Sequence, residues 1–370
     1  MFSDLSLWLR IVLSLLLSGA VAFFFTPPVK KFAVSVGAVD QPSARRVNTR
    51  PVPRMGGIAI FCGFMFSLLL FAKLTTQVRG IMLGALIISV MGGLDDIYDL
   101  PPWVKFIGQF AAAFTAISCG VLVDAVTNWI GFGESVFVGR ILSYGLTALW
   151  IVYCTNAVNF IDGLDGLAVG MTTVSAATLF FISLRVSDPN ISVILICLIG
   201  SCLGFLPHNW NPAKIFMGDV GSQMLGFVLS TVSVIGLFKM HALVTMLIPF
   251  LSMAVPISDT AFAITRRLLK GQSPFKADRG HFHHRLLALG LTQKQVVLIL
   301  YSIAAVLGLF AYLMVGSTRR VKILIVSAAF VIVFCIILYV SKIFPKRKNA
   351  KQTEPVTPAK PSGQAENADR

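Results

Sequence analysis

Long apolar stretches alternate with short polar ones along almost the whole chain. Continuous apolar runs occupy 7–25, 56–72, 80–94, 106–123, 138–156, 167–184, 191–206, 223–238, 242–257, 296–315 and 323–344. A helix needs about 20 apolar residues to cross a bilayer. The runs do not alternate with a period of two, so they predict helices rather than the strands of a transmembrane barrel. The pattern therefore predicts an all-α polytopic integral membrane protein with about 11 (10–11) transmembrane helices. The first run lacks a small-residue cleavage site and reads as an uncleaved anchor. Residues 1–344 form one polytopic membrane domain, with polar loops at 26–55, 95–105, 157–166, 207–222 and 258–295. Residues 345–370 carry no apolar side chain larger than Val and read as a disordered basic tail.

Composition agrees with this reading. Hydrophobic residues are 56% of the 370 and charged residues 13%, with a mean hydropathy of +0.82. Soluble domains carry about 25% charged residues, roughly twice this share. A soluble nucleic-acid binder, a disordered chain and a secreted disulfide scaffold are excluded, and no nucleic-acid partner is expected. The six cysteines lie in apolar stretches without a CxxC pair and read as small core residues.

The net charge of +15 orients the spans. Of 31 Lys and Arg residues, 22 fall on one face, in loops 26–54 and 258–295, at Lys105 and Lys214, and from Lys342 onward. Cationic loops stay cytoplasmic. The prediction is an N-terminus outside and a C-terminus in the cytoplasm.

Eight of the sixteen acidic residues gather on that same face. Asp95, Asp96 and Asp99 follow the third run in GGLDDIYDLPPWVKF, and Asp162 and Asp165 follow the fifth in NAVNFIDGLDGLAVG. Asp219 follows the seventh in NWNPAKIFMGDVGS, and Asp259 and Asp278 follow the ninth, Asp278 beside the histidines of ADRGHFHH. An ionisable group where a span ends is costly unless it is paired or functional.

Each cluster has a plain structural reading beside a functional one. Asp95 and Asp99 are spaced i, i+4 and would share a helix face. Carboxylates at a helix C-terminus oppose its dipole, so a bound cation accounts for them better than a solvated helix end. The Asp-Gly steps of DGLDG could be simple turns, but Asn156 and Asn159 beside them are amides able to read a polar ligand. Gly218, Asp219, Gly221 and Ser222 form either an ordinary cap or a turn that admits phosphate to backbone N–H groups. His281, His283 and His284 lack an HExxH pattern, and the flanking Arg279 and Arg285 suit an anion better than a metal.

Hard oxygen ligands select Mg²⁺, with Mn²⁺ an acceptable substitute. Such a cation with Lys and Arg around it serves phosphoryl transfer. Its place at the membrane edge points to one soluble and one lipid substrate. DDIYD also fits the DDxxD of prenyl-diphosphate enzymes, so a membrane prenyltransferase is the alternative. A second DxxxD is missing, however, because Asp162 and Asp165 are spaced D-x-x-D. DGLDGLAVG departs from the CDP-alcohol phosphotransferase pattern by an early Ala168 and a missing Arg, and is rejected. A transporter would place its carboxylates at mid-span, and these lie at span ends.

With all four motifs in order, residues 27–300 resemble the polyprenyl-phosphate N-acetylhexosamine-1-phosphate transferases. ADRGHFHHRL is similar to the branch that uses UDP-N-acetylglucosamine and undecaprenyl phosphate, whose bacterial members start teichoic acid, O-antigen or related glycans. The resemblance implies Mg²⁺ on Asp219 with Asp162, and an essential Asp95–Asp96 pair acting on the lipid phosphate. It implies Asp162 and Asp165 near the nucleotide sugar, Asn209 and Phe216 at the uracil, and Lys105 near the phosphates. His281, His283 and His284 then lie on the diphosphate side, with Arg50 a basic position before MGG, where Asn48 departs from the usual His. The implied partners are a UDP-N-acetylhexosamine, a polyprenyl phosphate, the bilayer and a second copy in a homodimer. The implied location is the bacterial plasma membrane, with the site on the cytoplasmic face. The second pKa of a phosphate monoester is near 6, so Asp95 serves as a positioner at least as much as a base. A double displacement through an aspartyl-phosphate stands as the alternative route.

Overall fold

The computed structural model describes residues 5–42, 50–123, 125–127, 135–137, 139–186, 189–237, 253–269, 271, 282–315 and a few positions between 317 and 328. These residues build helices α1 (Leu7–Ser35), α2 (Gly57–Phe71), α3 (Thr76–Tyr98), α4 (Pro102–Ser118), α5 (Arg140–Ile161), α6 (Leu167–Val186), α7 (Pro189–Asn209) and α8 (Gly218–Leu237). Further along come α9 (Ala254–Leu269), α10 (Phe282–Ala288) and α11 (Gln293–Met314). Among the described residues seven helices, α1, α3, α5, α6, α7, α8 and α11, are long and apolar enough to cross a membrane, and α2 is a shorter apolar helix. The chain is a polytopic helical membrane protein.

The helix ends follow local chemistry. Thr75 caps α3 by accepting the Val78 N–H at 3.3 Å. Pro101 and Pro102 stop that helix, and Pro102 then opens α4, where its missing N–H costs nothing. Thr292 and Gln295 form a reciprocal capping box at the start of α11.

Several expectations need correction. The apolar runs end at 25 and 94, yet α1 continues to Ser35 and α3 to Tyr98, the latter as the i, i+4 spacing of Asp95 and Asp99 implies. Hydropathy stops at the first polar residue, whereas backbone hydrogen bonding does not. Pro27 leaves the Phe23 carbonyl without its helical donor, and His208 Nε2 reaches that oxygen at 3.2 Å. Two small antiparallel pairs also interrupt the all-α picture: β1 (Val39–Asp40) with β2 (Val52–Pro53), and β3 (Ala125–Thr127) with β4 (Ser135–Phe137). They are too short to leave an alternating pattern in the sequence. The run 242–257 is described only from 253, and α9 begins at Ala254 and runs on into the basic segment expected as loop. Most of the run 323–344, and the tail 345–370, lie outside the described residues.

α7 and α8 are the most buried of the candidate spans and α1 the least. α1 packs along α7 and α2, while α8 packs between α3 and α5. Two glycines let neighbouring helices approach the backbone of the first turn of α8. A Cβ on Gly57 would overlap the Gly221 backbone, and one on Gly92 would meet the carbonyl group of Asp219 at 2.6 Å. These contacts bring the ends of α2 and α3 against the first turn of α8.

Candidate active site

Asp95 and Asp96 sit in the last turn of α3, and both are buried. Asp95 Oδ1 accepts the Leu100 N–H at 2.8 Å, and its Oδ2 lies 2.5 Å from Lys105 Nζ. Lys105, in the first turn of α4, also donates to Asp219 Oδ2 at 3.1 Å. One ammonium therefore stands between two carboxylates from different helices. Asp96 turns the other way and accepts the backbone N–H groups of Asp219 at 3.0 Å and Val220 at 3.2 Å. Gly218, at φ 72, has its Cα hydrogens directed at the Asp96 carboxylate, leaving no room there for a Cβ.

Asp219 is held from three sides. Asn159, near the end of α5, donates to its Oδ1 at 3.0 Å and to Ser222 Oγ at 2.8 Å. Gln223, one turn along α8, donates to Oδ2 at 2.9 Å. Behind it, Gln109 donates to Gln223 Oε1 at 3.2 Å and exchanges amide hydrogen bonds with Asn156. A run of buried and half-buried amides thus backs the carboxylate that faces Lys105.

The α5–α6 turn brings in Asp162 and Asp165. Desolvation, then the carboxylates of Asp219, Asp96 and Asp165, push the Asp162 carboxyl up to about 8. Asp165 is engaged structurally: its Oδ2 accepts from Asn211 Nδ2 at 2.8 Å and from the Ala213 N–H at 3.0 Å. Asn211 also donates to Gln293 at the start of α11. Asn209 is buried, accepts the Gly166 N–H and donates to the Ile215 carbonyl, each at 3.0 Å. Its amide joins the DGLDG turn to the loop that leads into α8.

That loop is tied to the segment before α2. Phe216 N–H donates to Pro53 O at 2.8 Å, Gly56 N–H to Phe216 O at 2.9 Å, and Gly57 N–H to Met217 O at 2.8 Å. The segment carries Arg54, whose Nε donates to the Asp96 carbonyl and whose Nη2 donates to Asp99 Oδ1, both at 2.9 Å. Burial lowers the Arg54 pKa, but the bond to Asp99 and the charges of Asp96, Asp99 and Asp219 more than offset it, leaving a net rise. Arg50 is exposed and donates from Nη2 to the Ala213 carbonyl at 3.2 Å.

The structure thus brings together Asp95, Asp96, Asp162, Asp219, Lys105 and Asn159, with Asn156 behind them on Gln109 and with Asp165, Asn209 and the Phe216 backbone holding the surrounding loops. Asp259 is buried on α9, which packs against α5. Arg279 and His281 lie outside the described residues, as do the side chains of His283 and His284 in α10. Sequence reasoning missed Arg54, Gln109, Gln223 and Asn211. The two glutamines had a signal, since each is a polar amide inside or beside an apolar run. Arg54 had a weaker one, being one of six cations in its loop.

The described residues define a polytopic membrane protein whose ionisable groups converge where its spans end. Residues 78–237 match the model of glycosyl transferase family 4. A probable undecaprenyl-phosphate N-acetylglucosaminyl 1-phosphate transferase of Bacillus subtilis (strain 168) is 41% identical over 319 residues, covering 86% of this chain and 88% of the relative. A decaprenyl-phosphate N-acetylglucosaminephosphotransferase of Mycobacterium tuberculosis (strain CDC 1551 / Oshkosh) is 36% identical, covering 77% and 78%. An undecaprenyl-phosphate alpha-N-acetylglucosaminyl 1-phosphate transferase of Escherichia coli (strain K12) is 29% identical, covering 80% and 81%. The chain belongs to glycosyl transferase family 4.

Proposed function

We propose that this chain transfers N-acetylglucosamine-1-phosphate, or a related N-acetylhexosamine-1-phosphate, from its UDP form to undecaprenyl or another polyprenyl phosphate, releasing UMP. The observation that carries this reading is the Lys105 ammonium set between Asp95 and Asp219, with Asp96 and Asp162 beside it, at the membrane-edge ends of α3, α5 and α8. The relatives' names supply the substrate classes.

A divalent cation belongs to the proposal. Among the described residues no three Asp, Glu, His or Cys side chains stand as a ready ligand set. The donors that converge are nonetheless all hard oxygens, and they outnumber the cations facing them. That donor set fits Mg²⁺, with Mn²⁺ as a substitute, on Asp219 and Asp162. When bound, the ion supplies charge neutralisation on the donor diphosphate. Lys105 contributes a second positive charge beside the transferring phosphate. An oxygen of the lipid phosphate forms a bond to the sugar-bearing phosphorus as the bond to the bridging oxygen breaks, and that oxygen leaves with UMP. Asp95 and Asp96 orient the attacking group, Asp96 through the helix end it holds. His281, His283, His284 and Arg279 are assigned to the diphosphate side, and Phe216 to the uracil.

The topology proposed with this function is 11 spans, with the N-terminus outside, the C-terminus in the cytoplasm and the site on the cytoplasmic face of a bacterial plasma membrane. The charge bias of the loops supports it. A homodimer is the proposed assembly, and a cell-envelope glycan the product the lipid-linked sugar would feed.

The test is purified protein given UDP-[³H]N-acetylglucosamine and undecaprenyl phosphate, with and without Mg²⁺. Label entering extractable lipid with equal release of UMP, abolished by EDTA, is the expected result. No transfer, or movement of a prenyl chain from a prenyl diphosphate, would overturn the reading in favour of a prenyltransferase.

A further inference from the structure

We propose that Arg54 is the clamp for the phosphate of the lipid acceptor, and that Asp99 is the resting counterion which this phosphate displaces. The proposal rests on the reading above only in taking the acceptor to be a polyprenyl phosphate.

Arg54 is built into place rather than left in a loose loop. The three backbone bonds between Pro53–Gly57 and Phe216–Met217 fix the segment against the start of α8, and Arg54 N–H donates to Ala38 O at 2.9 Å. Met55, next in the chain, adopts φ 87 with its side chain buried. A non-glycine residue held in that region persists only where its surroundings over-determine it, as they do at functional sites.

The guanidinium has donors to spare. Of its five N–H groups, one at Nε is taken by the Asp96 carbonyl and one at Nη2 by Asp99. Among the described residues the others have no bond. The two occupied partners differ in kind. The Asp96 carbonyl, and the Asp96 carboxylate 3.9 Å from Nε, belong to a buried helix end, whereas the Asp99 side chain is 80% exposed and is the exchangeable counterion. An exposed carboxylate is a weakly held partner, and a phosphate can replace it with paired acceptors matched to the guanidinium fork.

The acceptor, rather than the nucleotide sugar, fits this position. Val90, Leu94 and Tyr98 are spaced i, i+4, i+8 on α3 and are all exposed, so they form an apolar stripe that runs along the helix and ends beside Asp99. A polyprenyl chain lying on that stripe brings its phosphate to Arg54 and to the Asp95–Asp96 end of α3. Asp162, Asp165 and Asn211 lie on other elements, at the α5–α6 turn and the α7–α8 loop; Phe216, assigned to the uracil, meets the Arg54 segment through its backbone, so the donor KM is the control that separates the two substrates.

The test uses the full chain in nanodiscs and compares wild type with Arg54→Gln, Arg54→Lys and Asp99→Asn. Equilibrium binding of undecaprenyl phosphate and of undecaprenol is measured beside the KM values for both substrates. Arg54→Gln is expected to weaken undecaprenyl phosphate binding by about tenfold to a hundredfold, as loss of a charge-assisted bond does. Undecaprenol binding and the UDP-N-acetylglucosamine KM are expected to stay within about twofold. Arg54→Lys should recover part of the loss, and Asp99→Asn should tighten undecaprenyl phosphate binding. An equal loss for undecaprenol, a shift in the donor KM instead, or no change at all would overturn the clamp. If Arg54→Gln does not fold, Asp99→Asn decides, since unchanged acceptor binding there also refutes displacement. Should wild type bind undecaprenyl phosphate through Arg54 yet transfer no sugar phosphate, the clamp stands and the proposed reaction fails.

Discussion

Asp96 accepts the backbone N–H of Asp219 at 3.0 Å, so a carboxylate from the end of α3 caps the beginning of α8. The next N–H, that of Val220, also falls to Asp96, at 3.2 Å. The first N–H groups of a helix have no partner within it, and here the partner comes from a separate span. The capped residue is also the one whose side chain faces Lys105, so the cap fixes where the Asp219 carboxylate points.

Asp96→Ala leaves two N–H groups unbonded at a buried helix end and is expected to destabilise the protein by about 1–3 kcal/mol. Asp95→Asn keeps an oxygen for the Leu100 N–H but sets an NH₂ donor, in place of the charged acceptor, opposite Lys105, which retains Asp219. Both variants should lose transfer, but only Asp96→Ala should melt clearly lower. Equal melting temperatures for the two would show that Asp96 does not hold α8.

Lys105→Met removes the one ammonium between Asp95 and Asp219. Two carboxylates left facing each other repel and attract a cation more strongly. Turnover is expected to fall about a hundredfold, the scale of losing a fixed charge at a transferring group. The Mg²⁺ concentration for half-maximal rate, and for recovery of thermal stability, should fall at the same time. A Mg²⁺ titration settles the sign: a higher Mg²⁺ requirement in Lys105→Met would mean that the lysine does not compete for the cation's place.

The division between what the sequence showed and what it did not follows from range. Asp95, Asp96, Asp162 and Asp219 were legible because ionisable groups at the ends of apolar runs are costly, and their spacing places them on alternate spans. Membrane helices were legible from continuous hydropathy, although α1 and α3 outlast it. Arg54 was hidden among six cations because its placement depends on backbone pairing between residues about 160 positions apart, 53–57 with 216–217. By spacing alone the Asp162–Asp165 pair reads as two similar acids, and only the family resemblance sets Asp162 apart as a metal ligand. Their difference arises from Asn211 and Ala213, which reach Asp165 from another loop.

That difference predicts separate phenotypes. Asp165→Ala releases Asn211 and the Ala213 N–H and so frees the loop that leads through Phe216 to Asp219. The expected effect is a rise in the UDP-N-acetylglucosamine KM of about tenfold, the scale of losing one to two hydrogen bonds to a charged group, with the acceptor KM unchanged. Asp162→Asn should instead raise the Mg²⁺ requirement. Steady-state kinetics at varied donor, acceptor and Mg²⁺ separate the two, and matching profiles would argue against distinct roles.

Gly92 and Gly93 offer a paired test of how closely α3 must approach α8. A Cβ at Gly92 meets the Asp219 carbonyl carbon, its oxygen and the Val220 nitrogen, each at 2.6 Å. These are backbone atoms of the first turn of α8, and they cannot move aside without moving Asp219. At Gly93 the nearest atom is Val220 Cγ2 at 3.5 Å, an ordinary contact. Gly92→Ala is therefore expected to cost about 1–3 kcal/mol through overpacking and to abolish transfer by displacing the Asp219 carboxylate from Lys105. Gly93→Ala adds a better helix former at an uncrowded position and should keep activity with unchanged or slightly higher stability. Melting curves and transfer rates for the two variants check this directly. Full activity in Gly92→Ala would mean that the carboxylates of α3 and the first turn of α8 do not need this contact to work together.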